Sequence, residues 1–184
     1  MGYGRRLVRN LWRSAVVAAV IVGIGLGLPA INGSIAATQP VATTAYRVGA
    51  GVSLMPPPGA NIDTTVTRPG GEAGQVLFYV GSVRYAIVAT PFDGSLTSAT
   101  QRLREEIRQR SGYQIAGPES RTATSKGVPG RAGMYSSPGR DGRYTVFVSH
   151  RVAVSITVAG DAVDLRRILP SIDASIRSVG FGGS

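Results

Sequence analysis

Catalysis and metal binding need particular side chains held close together, and this sequence supplies few of them. It has one histidine, His150, and no cysteine, so neither a histidine-rich nor a thiolate metal site can be assembled. His150 falls between two stretches of strand character, where a turn residue is expected. The carboxylates are scattered. Asp161, Asp164 and Asp173 share one segment, but the first two stand where a helix begins and read as a capping pair. The glycine-rich run Gly23-Ile24-Gly25-Leu26-Gly27 lies inside an apolar stretch and follows no strand, which excludes a phosphate-binding loop. The expectation is therefore a non-enzyme with no catalytic residues, no cofactor and no metal. Two pairs of residues remain for recognition. Arg104 and Arg108 fall together on the outer side of an expected helix, either to meet an anionic partner or to form a solvated face. Gly23 and Gly27 have small-xxx-small spacing, which lets membrane helices pack closely, although glycine is common in such helices anyway.

Charge narrows the partners. The net charge is +10, from 20 basic and 10 acidic residues. Four of the arginines lie within residues 1–13, so 16 basic residues face the 10 acids elsewhere, a balance of +6. These charges are dispersed, without the long basic run of a nucleic-acid-binding tail. Anionic lipid headgroups or acidic envelope polymers suit such a surface better.

Arg5, Arg6, Arg9 and Arg13 lead into the apolar run Ser14 to Ile31 (SAVVAAVIVGIGLGLPAI). A helix of about 17–25 apolar residues spans a bilayer, and the positive-inside tendency places residues 1–13 in the cytoplasm. The expectation is a single-pass anchor over 14–31 with the C-terminal part outside the cytoplasm. The alternative is a cleaved secretory signal ending near Ala36.

Residues 32–45 are small, polar and uncharged, and read as a linker. One domain is expected over 46–181, then a short tail at 182–184. It opens with an extended segment, Tyr46 to Leu54, which Pro56-Pro57-Pro58 ends. Residues 60–74 read as loop. Gln75 to Val80 and Val83 to Thr90 form a hairpin across a Gly81-Ser82 type II′ turn. A helix over Ser95 to Arg110 carries the apolar stripe Leu96, Ala99, Leu103, Ile107. Irregular chain from Tyr113 passes into a polar strand at Glu119 to Lys126, and a further strand covers Arg131 to Ser136. Arg143 to Ser149 and Val152 to Val158 alternate with period two, the second with aliphatic residues on one face and small ones on the other. A last helix starts at Asp161, and Pro170 should kink or restart it before Gly180. The order is strands, helix, strands, helix. That argues an α+β class: a largely antiparallel sheet with helices packed on it, preceded by one transmembrane helix.

Several segments in sequence order resemble a known family. They are the proline break GVSLMPPPGA, a helix followed by Ser111-Gly112-Tyr113, and the run Gly127-Val128-Pro129-Gly130-Arg131-Ala132-Gly133-Met134-Tyr135. The turn Gly139-Arg140-Asp141-Gly142, the pair YTVFVSHRVAVSITVAG and the final Ser175-Ile176-Arg177-Ser178-Val179 complete the series. Together they look like the PsbP-like/Mog-type fold, in particular the LpqN-type exported envelope proteins of actinobacteria, without the lipobox cysteine of the latter. The resemblance implies a binding or accessory module of the cell envelope, with a protein partner or a place in a membrane complex. A lipid or other amphiphile carried between sheet and helix is the alternative.

Overall fold

A computed structural model describes residues 37–182. The expected anchor at 14–31, with Gly23 and Gly27, lies outside the described residues, as do residues 32–36 of the expected linker. Among the described residues no helix is long and apolar enough to cross a membrane.

The strands are β1 (Thr38–Pro40), β2 (Tyr46–Gly49), β3 (Val52–Leu54), β4 (Asn61–Asp63), β5 (Gly74–Val80) and β6 (Val83–Pro91). Helix α1 (Leu96–Arg108) follows, then β7 (Gln114–Ala123), β8 (Pro129–Ser137), β9 (Arg140–Ser149) and β10 (Val152–Gly160). Helix α2 (Ala162–Arg177) and β11 (Gly180–Phe181) close the domain. Eight strands form one sheet in the order β1-β4-β5-β6-β10-β9-β8-β7, and β11-β3-β2 form a second, small sheet. The named strand pairs are all antiparallel. The fold is α+β.

The regular central strands form because both their faces are covered. Val154, Ile156 and Val158 of β10 join Val76, Phe78, Tyr85 and Ile87 under α2 and the small sheet, where Leu165, Ile172 and Ile176 meet them. Ala153 of β10 turns the other way, with Tyr144 and Val146 of β9, to meet Ala99, Leu103 and Ile107 of α1. The small side chains of β10 thus leave room for one helix while its aliphatic ones build the main core.

Local signals behave as their chemistry dictates. Ser95 caps α1, its hydroxyl accepting from Ser98 N–H at 3.1 Å. Asp161 caps α2 through Val163 N–H at 2.9 Å. Asp164 does not complete a capping box: its carboxylate accepts from the Ser82 hydroxyl and pairs with Arg167 at 3.0 Å. At the β5–β6 turn φ is positive at Gly81 (+60°) and not at Ser82, as type II′ requires.

Five expectations need correction. The expected linker contributes β1, which pairs Thr38, Gln39 and Pro40 with Asp63, Ile62 and Asn61. Backbone pairing at a sheet edge asks little of side chains, and an edge tolerates Pro40. The domain therefore starts before residue 46. The expected loop at 60–74 supplies the partner strand β4. The extended segment 46–54 is a hairpin, broken by left-handed residues at Ala50 (φ +52°) and Gly51 (φ +72°). Strand β7 begins at Gln114, five residues earlier than expected, and carries an irregularity between Ala116 and Ser120 around Gly117-Pro118. Helix α2 is not restarted at Pro170 but continues through it to Arg177; Pro170 is exposed, so the carbonyl deprived of its amide lies on the solvent side.

Candidate functional site

The two arginines singled out from the helix separate in space. Arg104 reaches off α1 to β7, its Nη1 2.8 Å from Glu119 Oε1. Arg131 of β8 approaches the other oxygen at 3.3 Å, and the Tyr144 hydroxyl donates to Oε1 at 3.2 Å. Arg104 therefore does not share an open outer face with Arg108, since Glu119 draws it toward the sheet. The cluster fastens α1 across β7, β8 and β9. Burial, then the Glu119 charge, pushes the Tyr144 phenol up to about 12. Arg108 stays at the surface, 4.0 Å from Glu105. Asp173 joins neither aspartate of its segment; it pairs with Arg143 of β9 at 3.1 Å and ties α2 to the sheet. Among the described residues no group of three or more His, Cys, Asp or Glu could hold a metal ion.

What the fold does bring together is a set of residues far apart in sequence. A cleft of about 960 Å³ opens where the small sheet meets the ends of the long hairpins. Arg47 of β2, Lys126 of the β7–β8 turn and His150 of the β9–β10 turn line it, with Ser53 of β3. Backbone supplies much of the rest: Gly49-Ala50-Gly51, Gly70-Gly71, and Gly180 to Gly182 with Phe181 between them. Among the described residues no carboxylate lines this cleft. Among the described residues the side chains of Arg47, Lys126 and His150 have neither a hydrogen bond nor an ion pair. Each of the three is exposed.

The walls are pinned. Ser125, beside Lys126, donates both its N–H (2.7 Å) and its hydroxyl (2.9 Å) to the Arg177 carbonyl at the end of α2. Ala50 N–H donates to Gly71 O at 2.9 Å, and Gly182 N–H to Gly51 O at 2.7 Å. The His150-Arg151 turn is held through Arg151, whose carbonyl accepts from Phe92 N–H at 2.8 Å and whose guanidinium pairs with Asp93 at 2.6 Å. Strain collects here as well. Three non-glycine residues among those described have positive φ, and two of them, Ala50 (+52°) and His150 (+49°), line the cleft. Such conformations persist only where surrounding structure enforces them, and they gather at functional sites. A second cleft, of about 500 Å³, lies beside β1 and is lined by uncharged residues such as Val41, Tyr46 and Ile62.

Sequence reasoning passed over Arg47 and Lys126 because each stands alone. One signal was available. The chain has no acidic residue before Asp63, none between Glu119 and Asp141, and none between Asp141 and Asp161. Arg47, Lys126 and His150 each sit in one of those acid-free stretches.

No family model matches the sequence, and no curated protein matches it. Solved structures do. The fold is similar to that of the cyanobacterial PsbP protein (CyanoP) of Synechocystis sp. PCC 6803, with a TM-score of 0.54 and 13% identity, over 84% of this chain and 98% of that one. It is also similar to LpqN of Mycobacterium tuberculosis, a protein involved in cell envelope biogenesis. That match has a TM-score of 0.52 and 12% identity, over 76% of this chain and 91% of LpqN. At such identities the likeness is one of fold alone: this chain carries a PsbP-like α+β fold that resembles LpqN.

Proposed function

We propose that this protein is a binding or accessory module of the cell envelope, held at the membrane by residues 14–31 with its PsbP-like domain outside the cytoplasm. There it recognises a protein partner or takes a place in a membrane complex, and it acts by recognition, not by catalysis. The arginine-led apolar run supports the location, and the envelope role of LpqN, which has a similar fold, supports the setting.

One observation favours surface recognition over carriage of an amphiphile. The space between α2 and the sheet is occupied by side chains. Leu165, Ile172, Ile176 and Val179 pack with Tyr85, Ile87, Ile156 and Val158, each exposed by 6% or less. The Tyr85 hydroxyl and Ser175 Oγ meet at 3.1 Å within that layer. Neither of the two clefts described above is lined by a helix residue. Binding then falls to the outside of the domain.

The test is affinity capture of the full-length protein from detergent-solubilised membranes, with the mature N-terminus read in the same sample. Residue 1 intact and a membrane protein in stoichiometric amount is the expected result. A soluble form beginning near Ala37 would remove the anchor. A stoichiometric lipid in place of a protein would replace this reading with amphiphile carriage.

A further inference from the structure

We propose that the cleft lined by Arg47, Lys126 and His150 is a binding site for phosphate esters. This goes beyond the envelope reading and holds on whichever side of a membrane the domain stands. Three nitrogen-bearing side chains reach the cleft from three separate elements, and among the described residues no lining carboxylate neutralises them. A lone carboxylate ligand would be satisfied by one guanidinium fork. A phosphate ester, with several anionic oxygens, uses a guanidinium, an ammonium and an imidazole together. The ligand does not end at its phosphate. A cleft of about 960 Å³ has room for a polyol or glycerol body as well. Gly180 adds a detail of shape. A β-carbon there would stand 3.7 Å from Lys126 Nζ and 3.6 Å from Ser53 Oγ, so its absence leaves an open place between an ammonium and a hydroxyl. The strained backbone at Ala50 and His150, with the hydrogen bonds of Ala50 and Arg151 beside it, fixes the main-chain wall of the cleft, and the exposed side chains extend from it.

The ester can come from a soluble or polymeric phosphate or from a lipid headgroup, and the experiment separates the two. Full-length protein in neutral detergent is titrated with glycerol phosphate, with glycerol as its control. In parallel it is titrated with dihexanoylphosphatidylglycerol, with dihexanoylglycerol as its control. Saturable binding of glycerol phosphate assigns the soluble source, and saturation by the phospholipid alone assigns the headgroup. Arg47→Gln and Lys126→Gln are each expected to weaken binding about tenfold, whereas Arg166→Gln, on the exposed side of α2, changes it less than about twofold. Gly180→Ala, which keeps every charge and whose β-carbon meets its neighbours at ordinary contact distance, is expected to weaken binding as well. The proposal is overturned if neither ester saturates by about 10 mM. It is equally overturned if Arg166→Gln costs as much as Lys126→Gln, or if dihexanoylglycerol binds as well as the phospholipid.

Discussion

Basic side chains meet two fates in this domain. Around Glu119, Arg104 and Arg131 converge on one carboxylate with the Tyr144 hydroxyl beside it, and the Glu119 side chain is 15% exposed. In the cleft, Arg47, Lys126 and His150 meet no acid among the described residues and lie exposed against glycine backbone. The first arrangement consumes its charge in holding α1 on the sheet. The second leaves its charge available, over backbone where two non-glycine residues, Ala50 and His150, take positive φ, whereas the only positive φ beside Glu119 falls on Gly117, in the irregularity of β7. Positive charge alone therefore does not mark a binding surface. The pairing of that charge does.

The sharpest way to break this contrast is to delete the acid. Glu119→Ala leaves two guanidiniums and a phenol without their shared partner in a partly buried setting. Loss of a buried pair costs about 3–5 kcal/mol, and partial exposure of both arginines reduces that to about 2–3 kcal/mol here. Urea unfolding measures it as a lower midpoint with an unchanged m-value. By contrast, Lys126→Gln and Arg47→Gln should leave the midpoint within about 0.5 kcal/mol of the parent. If the two groups respond alike, the distinction between consumed and available charge fails.

Alkaline pH probes the same cluster from the proton side. Burial, reinforced by Glu119, raises the Tyr144 phenol from 10.0 to about 12. The folded state thus keeps a proton that the unfolded state releases. Its contribution to stability is complete below pH 10 and disappears as pH rises from about 10 through about 12. Burial also drives Tyr85 and Tyr135 upward, so they add to the same loss. Tyr144→Phe should flatten the stability profile across that window without abolishing its slope. A profile identical to the parent's would mean that Tyr144 does not titrate with folding.

These two regions were not equally legible in the sequence. Strands β9 and β10 declared themselves by alternation, and α1 by its apolar stripe, because each signal is local and periodic. Gly130 and Gly142 misled, since glycine reads locally as a turn. In the sheet Gly130 stands opposite Phe147, Gly133 opposite Tyr144 and Gly142 opposite Tyr135. A β-carbon at any of the three would meet the facing ring within 2.5 Å. Each glycine is a seat for an aromatic ring on the neighbouring strand, a pairing that register alone reveals. Gly133→Ala should therefore push Tyr144 off Glu119 and cost about 1–2 kcal/mol, visible as a lower thermal midpoint. Strand β1 was invisible for another reason, since its pairing uses backbone groups that every residue has. The cleft was hidden because residues 47, 126 and 150 each contribute one unremarkable side chain. Their acid-free surroundings are the trace they leave in the chain.

The smallest expected effect separates the two regions most cleanly, because stability and binding should move in opposite directions. His150 and Arg151 both have positive φ in a two-residue hairpin turn, at +49° and +60°. That is the pattern of a type I′ turn, which asparagine and glycine fill at lower cost. Arg151 has structural work, through Asp93 and Phe92, whereas the His150 side chain has no partner among the described residues. His150→Asn should relieve backbone strain and raise stability by about 0.5 kcal/mol, read from the urea midpoint. The same change replaces the imidazole with a shorter carboxamide of different reach and should weaken glycerol phosphate binding about threefold. Around Glu119 no substitution of a cluster member should show this exchange, since there the charged groups and the stability are the same thing. A lower midpoint for His150→Asn, or unchanged binding, would mean that the strained turn serves the fold and not the cleft.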